Sequence, residues 1–227
     1  MNVQVNAQYN VAAPESLPVR IAGVQRRKMY AAFLAKFPAD QTTRVIDVGV
    51  TADRSYEHSN YLVAWYPHKD RITAVGLDDA QFLETAYPGV KYVQADGRDL
   101  PFDDGAFDVA HASAVLEHVG NAERQTSFLR ELWRVSRHGI FVTTPNRWFP
   151  VEFHTVLPLV HWLPKPVFRG FLTRTGRGFF ADENNLNLVG PGELAQLGRA
   201  AGISNLTIDT VSLGGWPTNL LLSARKS

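Results

Sequence analysis

Short apolar runs alternate with helical segments along this chain, and the alternation limits the fold more than any other feature of the sequence. Five β-branched or apolar runs begin near residues 44, 71, 90, 107 and 140, and each ends at a turn signal. A helix that starts at Pro191 then leads into two last runs, 206–213 and 219–224. Alternation of this kind is typical of a parallel sheet that is covered on both faces by helices. The sequence therefore predicts an α/β fold with a seven-stranded, mostly parallel sheet, helices on both faces and an antiparallel last strand.

The length of 227 residues suits one such domain. We interpret residues 1–40 as an N-terminal arm followed by a helix, and residues 41–227 as the main domain. About forty-five residues separate the fifth strand from the helix at Pro191, where compact domains usually need only a few. Residues 147–189 are therefore interpreted as an insertion that forms a lid or recognises the substrate. The alternative is an extra pair of helices that covers the core and contacts no ligand.

The amino-acid composition excludes several kinds of site and partner. The chain has no cysteine, so it has no disulfides, no thiolate zinc site and no cysteine nucleophile. Its 23 basic and 22 acidic residues give a formal charge of +1, which argues against a nucleic-acid partner. The N-terminus lacks a signal-peptide pattern, and the most apolar stretch, 155–163, is far shorter than the roughly twenty residues of a membrane span. We expect a cytoplasmic protein that contacts a membrane at most peripherally, and its oligomeric state stays open.

Glycine and acidic residues follow the first three predicted strands, at the edge where open α/β sheets bind ligands. Gly49 allows a tight turn after the first strand, which brings backbone N–H groups toward a ligand. Asp78 follows the second strand, where a carboxylate can accept hydrogen bonds from both ribose hydroxyls. Asp96 and Gly97 follow the third strand and could contact an adenine. Together these residues predict a pocket for an adenosine group.

Each acidic residue of this pattern also has a role that needs no ligand. Asp47, inside the first strand, would order the neighbouring loop. Asp78 would cap the following helix, and Asp96 would hold a turn with Gly97. The residues alone leave these alternatives open.

The order and spacing of four motifs resemble the class I S-adenosylmethionine-dependent methyltransferases of the type 11 group. The motifs are VIDVG at 45–49, VGLD at 75–78, QADGRDLPF at 94–102 and FDVAHASAVLEHV at 107–119. The resemblance covers roughly residues 40–145 and includes the last two strands. It implies a Rossmann-like fold and S-adenosylmethionine as cofactor. It also implies methyl transfer to a small-molecule, lipid or glycan acceptor, and we favour O-methylation.

The resemblance also implies a set of cofactor residues at the ends of the first four strands. They are Asp47, Gly49, Asp78, Asp96, Gly97, Ala112 and Ser113, and Thr51 joins them as a candidate from this chain's own sequence. Asp47 and Gly49 would shape the turn under the methionine part, while Ala112 and Ser113 would lie where backbone carbonyls receive the amino group. One departure concerns the first turn, where the family usually has Gly-x-Gly-x-Gly and this chain has Thr51 and Asp53 after Gly49. Either the loop takes another path and Thr51 supplies a hydroxyl contact, or the affinity for the cofactor is impaired.

The predicted insertion supplies the candidates for substrate binding and catalysis. Asn146, Arg147, Trp148 and Glu152 follow the fifth strand and are predicted to contact the substrate. Aromatic residues in this segment favour a ring or an acyl chain, whereas its polar residues suit a sugar or a carboxylate. A hydroxyl acceptor must lose its proton, and His154 or His161 is the predicted base.

Glu117 and His118 form a pair that helps to bind a metal in some O-methyltransferases of the resembling family. In those enzymes an acid stands three residues before the glutamate, but this chain has Ala114 at that position. The sequence therefore predicts no metal site, and His118 is interpreted as a packing residue.

Two other functions compete with methyl transfer. An NAD-dependent oxidoreductase would have a similar sheet, but it would need Gly-x-Gly-x-x-Gly after the first strand, which this chain lacks. A non-catalytic protein that binds the cofactor or serves as a scaffold could have kept the fold while its glycine loop drifted. Binding assays with the two cofactors distinguish the first rival, and binding of S-adenosylhomocysteine tests the second.

Overall fold

The computed structural model describes residues 16–54 and 58–226, in which helices cover both faces of one sheet. The strands are β1 (Val45–Val48), β2 (Ile72–Gly76), β3 (Lys91–Gln94), β4 (Phe107–Ser113), β5 (Ser136–Pro145), β6 (Leu206–Leu213) and β7 (Trp216–Arg225). The helices are α1 (Leu17–Lys36), α2 (Tyr61–Trp65), α3 (Phe82–Ala86), α4 (Ala122–Val135), α5 (Lys165–Arg174), α6 (Gly178–Ala181) and α7 (Pro191–Ala200). Residues 1–15 of the predicted N-terminal arm lie outside the described residues.

The seven strands are arranged in the order β3-β2-β1-β4-β5-β7-β6. Strands β1 to β5 pair in parallel, whereas β7 runs antiparallel to both of its neighbours, β5 and β6. Gly214 and Gly215, both with positive φ, join β6 directly to β7. So short a connection can join only antiparallel strands. The predicted fold class, with its mostly parallel sheet and antiparallel last strand, is confirmed.

Each face of the sheet buries its own apolar cluster. On one face, α4 contributes Phe128, Leu129 and Leu132, whose spacing places them on one side of the helix. On the other face, α1 contributes Phe33, whose ring lies 5.5 Å from that of Phe141 in β5. The short strand β1 is buried along its whole length because helices cover it from both sides.

Some helices and strands begin or end at other residues than the sequence pattern predicts. In the strands, hydrogen-bond pairing with the neighbouring strand determines the ends, and the apolar periodicity of the sequence does not show this pairing. Strand β5 starts directly after α4, because Ser136 already pairs with Phe107. Strand β7 starts at Trp216 and not at residue 219, so the connection from β6 consists only of Gly214 and Gly215. Although residues 56–66 have the sequence pattern of a helix, α2 extends over only Tyr61–Trp65, and residues 55–57 lie outside the described part of the chain.

The insertion leaves the sheet and returns to it at one place. Asn146 and Val189 form an isolated parallel bridge, and the N–H of Arg147 donates to the carbonyl of Val189 at 3.1 Å. Between these ends, α5 and α6 enclose a small apolar cluster of their own, which includes Phe168, Leu172 and Phe180. None of the helices in the described residues combines the length and apolarity needed to cross a membrane.

Candidate active site

A cleft with a volume of about 430 Å³ lies at the carboxyl ends of β1, β2, β3 and β4. This volume is in the usual range for small-molecule and cofactor sites. Five of the eight predicted cofactor residues line it, namely Gly49, Thr51, Asp96, Gly97 and Ser113. Asp47, Asp78 and Ala112 are not among the lining residues, and each is described below.

Gly49 makes the sharp turn that opens the cleft after β1. Its φ is +99°, and a Cβ atom at this position would lie 2.1 Å from the side chain of Val115. The N–H groups of Gly49 and Val50 both donate to the carbonyl of Val75, at 2.7 and 3.0 Å. Only glycine fits this close approach between the turn and the segment after β4.

The loop after Gly49 is held by side chains instead of further glycines. Asn60 accepts a hydrogen bond from the N–H of Thr51 at 2.9 Å and donates to its carbonyl at 3.0 Å. The hydroxyl of Thr51 accepts from the N–H of Asp53 at 3.1 Å. Side-chain hydrogen bonds therefore determine the path of this loop, where the family usually has glycines. Thr51 lines the cleft, and its hydroxyl can still donate a hydrogen bond to a ligand.

Asp78 stands at the end of β2, next to Leu77, which lines the cleft. The Oδ2 atom of its carboxylate is buried and has no hydrogen-bond partner among the described residues. Burial raises the pKa of Asp78. A buried carboxylate oxygen without a donor is costly unless a ligand supplies one, so this residue has an acceptor to offer at the cleft.

Asp96 and Gly97 lie after β3 on the cleft wall. The carboxylate of Asp96 is engaged by Arg98, whose Nε lies 2.9 Å from Oδ1 and whose Nη2 lies 2.5 Å from Oδ2. The hydrogen bonds from Arg98 lower the pKa of Asp96, yet an ionised carboxylate can accept further bonds. A Cβ on Gly97 would lie 2.6 Å from the ring of Phe128, so glycine leaves space between that ring and the cleft.

Asp47 and Ala112 lie inside the sheet. The carboxylate of Asp47 accepts a hydrogen bond from Nδ1 of His111 at 2.7 Å, and Nε2 of His111 accepts one from the hydroxyl of Tyr61 at 3.0 Å. Asp47 therefore belongs to a buried polar network behind the cleft. Ala112 is fully buried in β4, and the following Ser113 bonds to the hydroxyl of Thr143 at 2.9 Å.

His154, one of the two predicted bases, lines the cleft opposite the end of β4. Its Nδ1 donates to Glu152 at 2.7 Å, and Nε2 has no hydrogen-bond partner within the described chain. Burial alone would lower the pKa of His154, but the charge of Glu152 and its hydrogen bond raise it overall. His154 is thus a histidine oriented by a carboxylate, with its second nitrogen available.

Glu152 is fixed behind His154 and does not line the cleft. Its two oxygens accept from the N–H groups of His154 and Thr155, from the Thr155 hydroxyl and from the His154 ring. Burial acts to raise the pKa of Glu152, but the positive charge of His154 and these hydrogen bonds lower it. An ionised Glu152 therefore supports His154 and is not free to bind a substrate.

Glu117 and His118 meet His154 at the inner end of the cleft. Burial raises the pKa of Glu117 to about 7 and lowers that of His118 to about 3. Nδ1 of His118 donates to the carbonyl of Asn185 at 2.7 Å, and Oε1 of Glu117 is buried with no hydrogen-bond partner in the part of the chain that the structure describes. One potential ligand atom from each of Glu117, His118 and His154 lies within 4.8 Å of the others, so the structure groups three residues that could hold a cation.

The remaining predicted substrate residues connect the insertion to the sheet. Asn146 bonds to the carbonyl of Pro217, and Arg147 bonds to the carbonyls of His161 and Leu163. His161 is buried away from the cleft, where Nε2 donates to the carbonyl of Phe149 at 2.7 Å. Trp148 is exposed on the outer surface. None of Asn146, Arg147, Trp148 and His161 lines the cleft.

Three cleft residues come from segments that contain none of the sequence motifs. Arg26 comes from α1, Arg124 from the first turn of α4, and Asn184 from the end of the insertion. Nη1 of Arg124 donates to Oδ1 of Asn184 at 2.6 Å, which ties α4 to the insertion beside the cleft. The sequence does not indicate that a basic residue on a helix belongs to the site, because only the fold brings that residue to the cleft.

Comparison with known proteins gives one consistent relationship. A methyltransferase domain family matches residues 58–143. A demethylmenaquinone methyltransferase from Roseiflexus sp. RS-1 is 30% identical over 186 residues, which cover 75% of this chain and 72% of that protein. A 1,6-didemethyltoxoflavin-N1-methyltransferase from Burkholderia thailandensis was solved with S-adenosylhomocysteine and has a TM-score of 0.59 at 18% identity. The superposition covers 96% of this chain and 93% of that protein's chain. A magnesium protoporphyrin IX methyltransferase from Synechocystis PCC 6803 has a TM-score of 0.58 at 13% identity, with 92% and 86% covered.

Proposed function

Since the chain belongs to the class I S-adenosylmethionine-dependent methyltransferases, type 11 group, we propose that it methylates a hydroxyl group of a small-molecule, lipid or glycan acceptor. His154 removes the proton of that hydroxyl. The observation that carries this proposal is the position of His154 on the cleft wall, with Glu152 fixed behind it. The NAD-dependent oxidoreductase considered from the sequence is set aside by the family relationship.

The cleft residues fit the adenosine part of S-adenosylmethionine. The unpartnered oxygen of Asp78 matches a ribose hydroxyl, which is a donor, and the space left by Gly97 beside Phe128 matches a flat base. Gly49, Thr51 and Ser113 are proposed to hold the methionine end. When it is bound, the cofactor supplies an electrophilic methyl group.

The protein positions the acceptor next to the cofactor and provides a group that accepts its proton. Nε2 of His154 takes the acceptor's proton, and ionised Glu152 stabilises the resulting imidazolium through Nδ1. The arrangement resembles other histidine–carboxylate pairs in which the carboxylate orients the ring. The acceptor class favoured first is a ring compound, because the Roseiflexus relative is named for a demethylated quinone.

A pH profile with two variants tests the role of His154. Only neutral His154 can accept a proton, so kcat/KM is expected to rise with pH and level off above the pKa of His154, which Glu152 raises. Glu152→Gln keeps an acceptor for Nδ1 but removes the charge, so the inflection should move to lower pH. His154→Gln should lose the inflection and about a hundredfold in kcat, with unchanged affinity for S-adenosylmethionine. An inflection at the same pH in all three proteins would exclude His154 as the base.

Two further measurements define the chemistry. Mass spectrometry and NMR of the product made with a deuterated methyl donor distinguish O-methylation from C-methylation. Treatment with a chelator should leave the rate unchanged if His154 acts as a base alone. A loss of activity that Mg²⁺ or Zn²⁺ restores would instead assign Glu117, His118 and His154 to a cation.

A further inference from the structure

Exposed apolar side chains gather on one part of the insertion. The described chain has eleven large apolar side chains that are exposed, and eight of them lie in the twenty residues 148–167. We call these eight side chains the apolar patch. A monomeric protein rarely concentrates exposed apolar side chains in this way unless the surface binds something.

Residues 151–156 have polar side chains on the inside and apolar side chains on the outside, which is the reverse of the usual arrangement. Glu152 and His154 are buried, whereas Val151, Phe153 and Val156 on either side of them are exposed. Glu152 accepts hydrogen bonds from Nδ1 of His154 and from the hydroxyl of Thr155. The segment therefore turns its polar side chains inward, with His154 on the cleft wall, and its apolar side chains outward.

The backbone of the patch is held in an unfavourable conformation. Val156 and Leu159 have φ values of +55° and +61°, and about half of each side chain is exposed. A β-branched residue at positive φ is strained, and strain of this kind is typical of binding surfaces. Backbone hydrogen bonds hold this conformation, since the N–H groups of Val156 and Leu159 donate to the carbonyls of Glu152 and Pro150, both at 2.8 Å.

The insertion does not need the patch for its own core. Phe168, Leu172 and Phe180 already form a buried cluster between α5 and α6. The patch includes Trp148 and Trp162, whose rings lie 6.5 Å apart. It is thus a surface with aromatic residues, supported from beneath by a separate core.

The charge next to the patch is positive. Residues 148–177 contain four basic residues and one acidic residue, and that acid is the buried Glu152. Lys165 and Arg169 are paired with Glu193 and Glu183. Arg174 and Arg177 have no ion-pair partner within the described chain, so they are the charges that remain for a ligand. Arg174 is exposed at the end of α5. The rest of the chain is nearly neutral, since the whole protein has a formal charge of only +1.

We propose that the apolar patch docks onto the surface of an anionic lipid bilayer. Tryptophan is the residue type that accumulates at the boundary between headgroups and acyl chains. Apolar side chains enter that boundary, and basic residues beside them are attracted to anionic headgroups. The docking segment also carries His154, so it brings the cleft to the membrane. The proposal concerns binding alone and does not depend on the proposed reaction.

Vesicle sedimentation of the full chain tests this docking. The native protein should bind vesicles of phosphatidylcholine with phosphatidylglycerol about tenfold more tightly than vesicles of phosphatidylcholine alone, and high salt should reduce the difference. The double variant Val156→Asn/Leu159→Asn should bind the mixed vesicles at least about tenfold more weakly. Asparagine tolerates positive φ better than valine or leucine, so this variant is expected to fold. Val24→Gln, which changes an equally exposed valine on α1, is the matched control and should bind like the native protein.

A second measurement follows tryptophan fluorescence and does not use the asparagine variant. Brominated phosphatidylcholine in the mixed vesicles should quench the fluorescence contributed by Trp148 and Trp162, and Trp148→Phe/Trp162→Phe should remove that quenching. Equal binding by the native protein and the asparagine variant, or equal binding to both vesicle compositions, would overturn the proposal. So would a native dimer that the asparagine substitutions convert to a monomer, because a second copy would then occupy the patch.

Discussion

Asp78 has a carboxylate oxygen that is buried beside the cleft and finds no donor within residues 16–54 and 58–226. If a ribose hydroxyl supplies this donor, Asp78→Asn should weaken the binding of S-adenosylmethionine at least about tenfold, since a buried hydrogen bond to a charged group is worth about 1.5–3 kcal/mol. Titration calorimetry measures the affinity, and Asp79→Asn, at the exposed neighbouring acid, is the control. The same dissociation constant in both variants and the native protein would remove Asp78 from the cofactor site.

Glu117 gives the folded protein a dependence on pH whose direction can be worked out. Burial raises its pKa from 4.5 to about 7, so the folded state keeps a proton that the unfolded state has lost. Stability therefore falls as the pH rises from 4.5 to about 7, by on the order of 3 kcal/mol. Glu117→Gln removes this titration and keeps an acceptor for the hydroxyl of Thr144, which now donates to Glu117 at 2.9 Å.

Urea unfolding without ligand measures this effect. Glu117→Gln should be more stable than the native protein at pH 8, and the advantage should shrink at pH 5. Glu123→Gln, at an exposed acid in the first turn of α4, should show no such difference. If the native protein and Glu117→Gln lose stability in parallel between pH 5 and pH 8, Glu117 is ionised in the folded state.

At the scale of elements, the loop between β1 and α2 replaces glycines with two hydrogen bonds from one side chain. Asn60→Ala removes both bonds to the backbone of Thr51 and should weaken S-adenosylmethionine binding about tenfold. Asn60→Asp keeps the acceptor for the N–H of Thr51 but loses the donor to its carbonyl, so its affinity should lie in between. Calorimetry of the three proteins provides the measurement. An unaffected Asn60→Ala would mean that the loop does not determine cofactor affinity.

The insertion is divided into a fixed part and a part that we propose moves. Its end is held to the sheet, since the N–H of Asn187 donates to the carbonyl of Glu117 at 2.7 Å and its side chain donates to that of Gly120 at 2.9 Å. Hydrogen exchange should therefore be slow at 184–189 without ligand. Residues 148–163 should exchange faster and become protected when S-adenosylhomocysteine and an acceptor bind. Full protection of 148–163 in the empty protein would exclude a lid.

The buried strands were predictable because each is a short apolar run with a glycine or an acid after it. The same rule found Gly49, Asp96 and Gly97 at the cleft, since parallel strands end at one edge. It could not find that Glu152 lies behind His154, because this contact depends on the turn that the insertion makes. Arg26 was equally hidden, since α1 meets the cleft only after the sheet has formed. The site residues that directly follow the strands could be predicted from the sequence. The other site residues depend on contacts between segments that are distant in the sequence.

For the molecule as a whole, α1 connects the core to the site. Phe33 is fully buried, and its ring lies 5.3 Å from that of His111, which bonds to Asp47 and Tyr61. The same helix brings Arg26 to the cleft. The N-terminal helix thus covers the polar network behind β1, and we expect it to unfold together with the sheet.

Phe33→Ala tests whether α1 and the sheet form one cooperative unit. Removing a fully buried aromatic ring from a packed core costs about 3–5 kcal/mol, so the free energy of unfolding in urea should fall by that amount in a single transition. Val24→Ala, at an exposed position of the same helix, should change it by less than about 0.5 kcal/mol. S-adenosylhomocysteine at about a hundred times its dissociation constant should return about 2.7 kcal/mol to Phe33→Ala, because ligand binds only the folded state. A separate early transition for α1, with the sheet and the ligand effect unchanged, would show that the helix is an appendage. A single transition that the ligand shifts would show that the helix, the sheet and the cleft fold together.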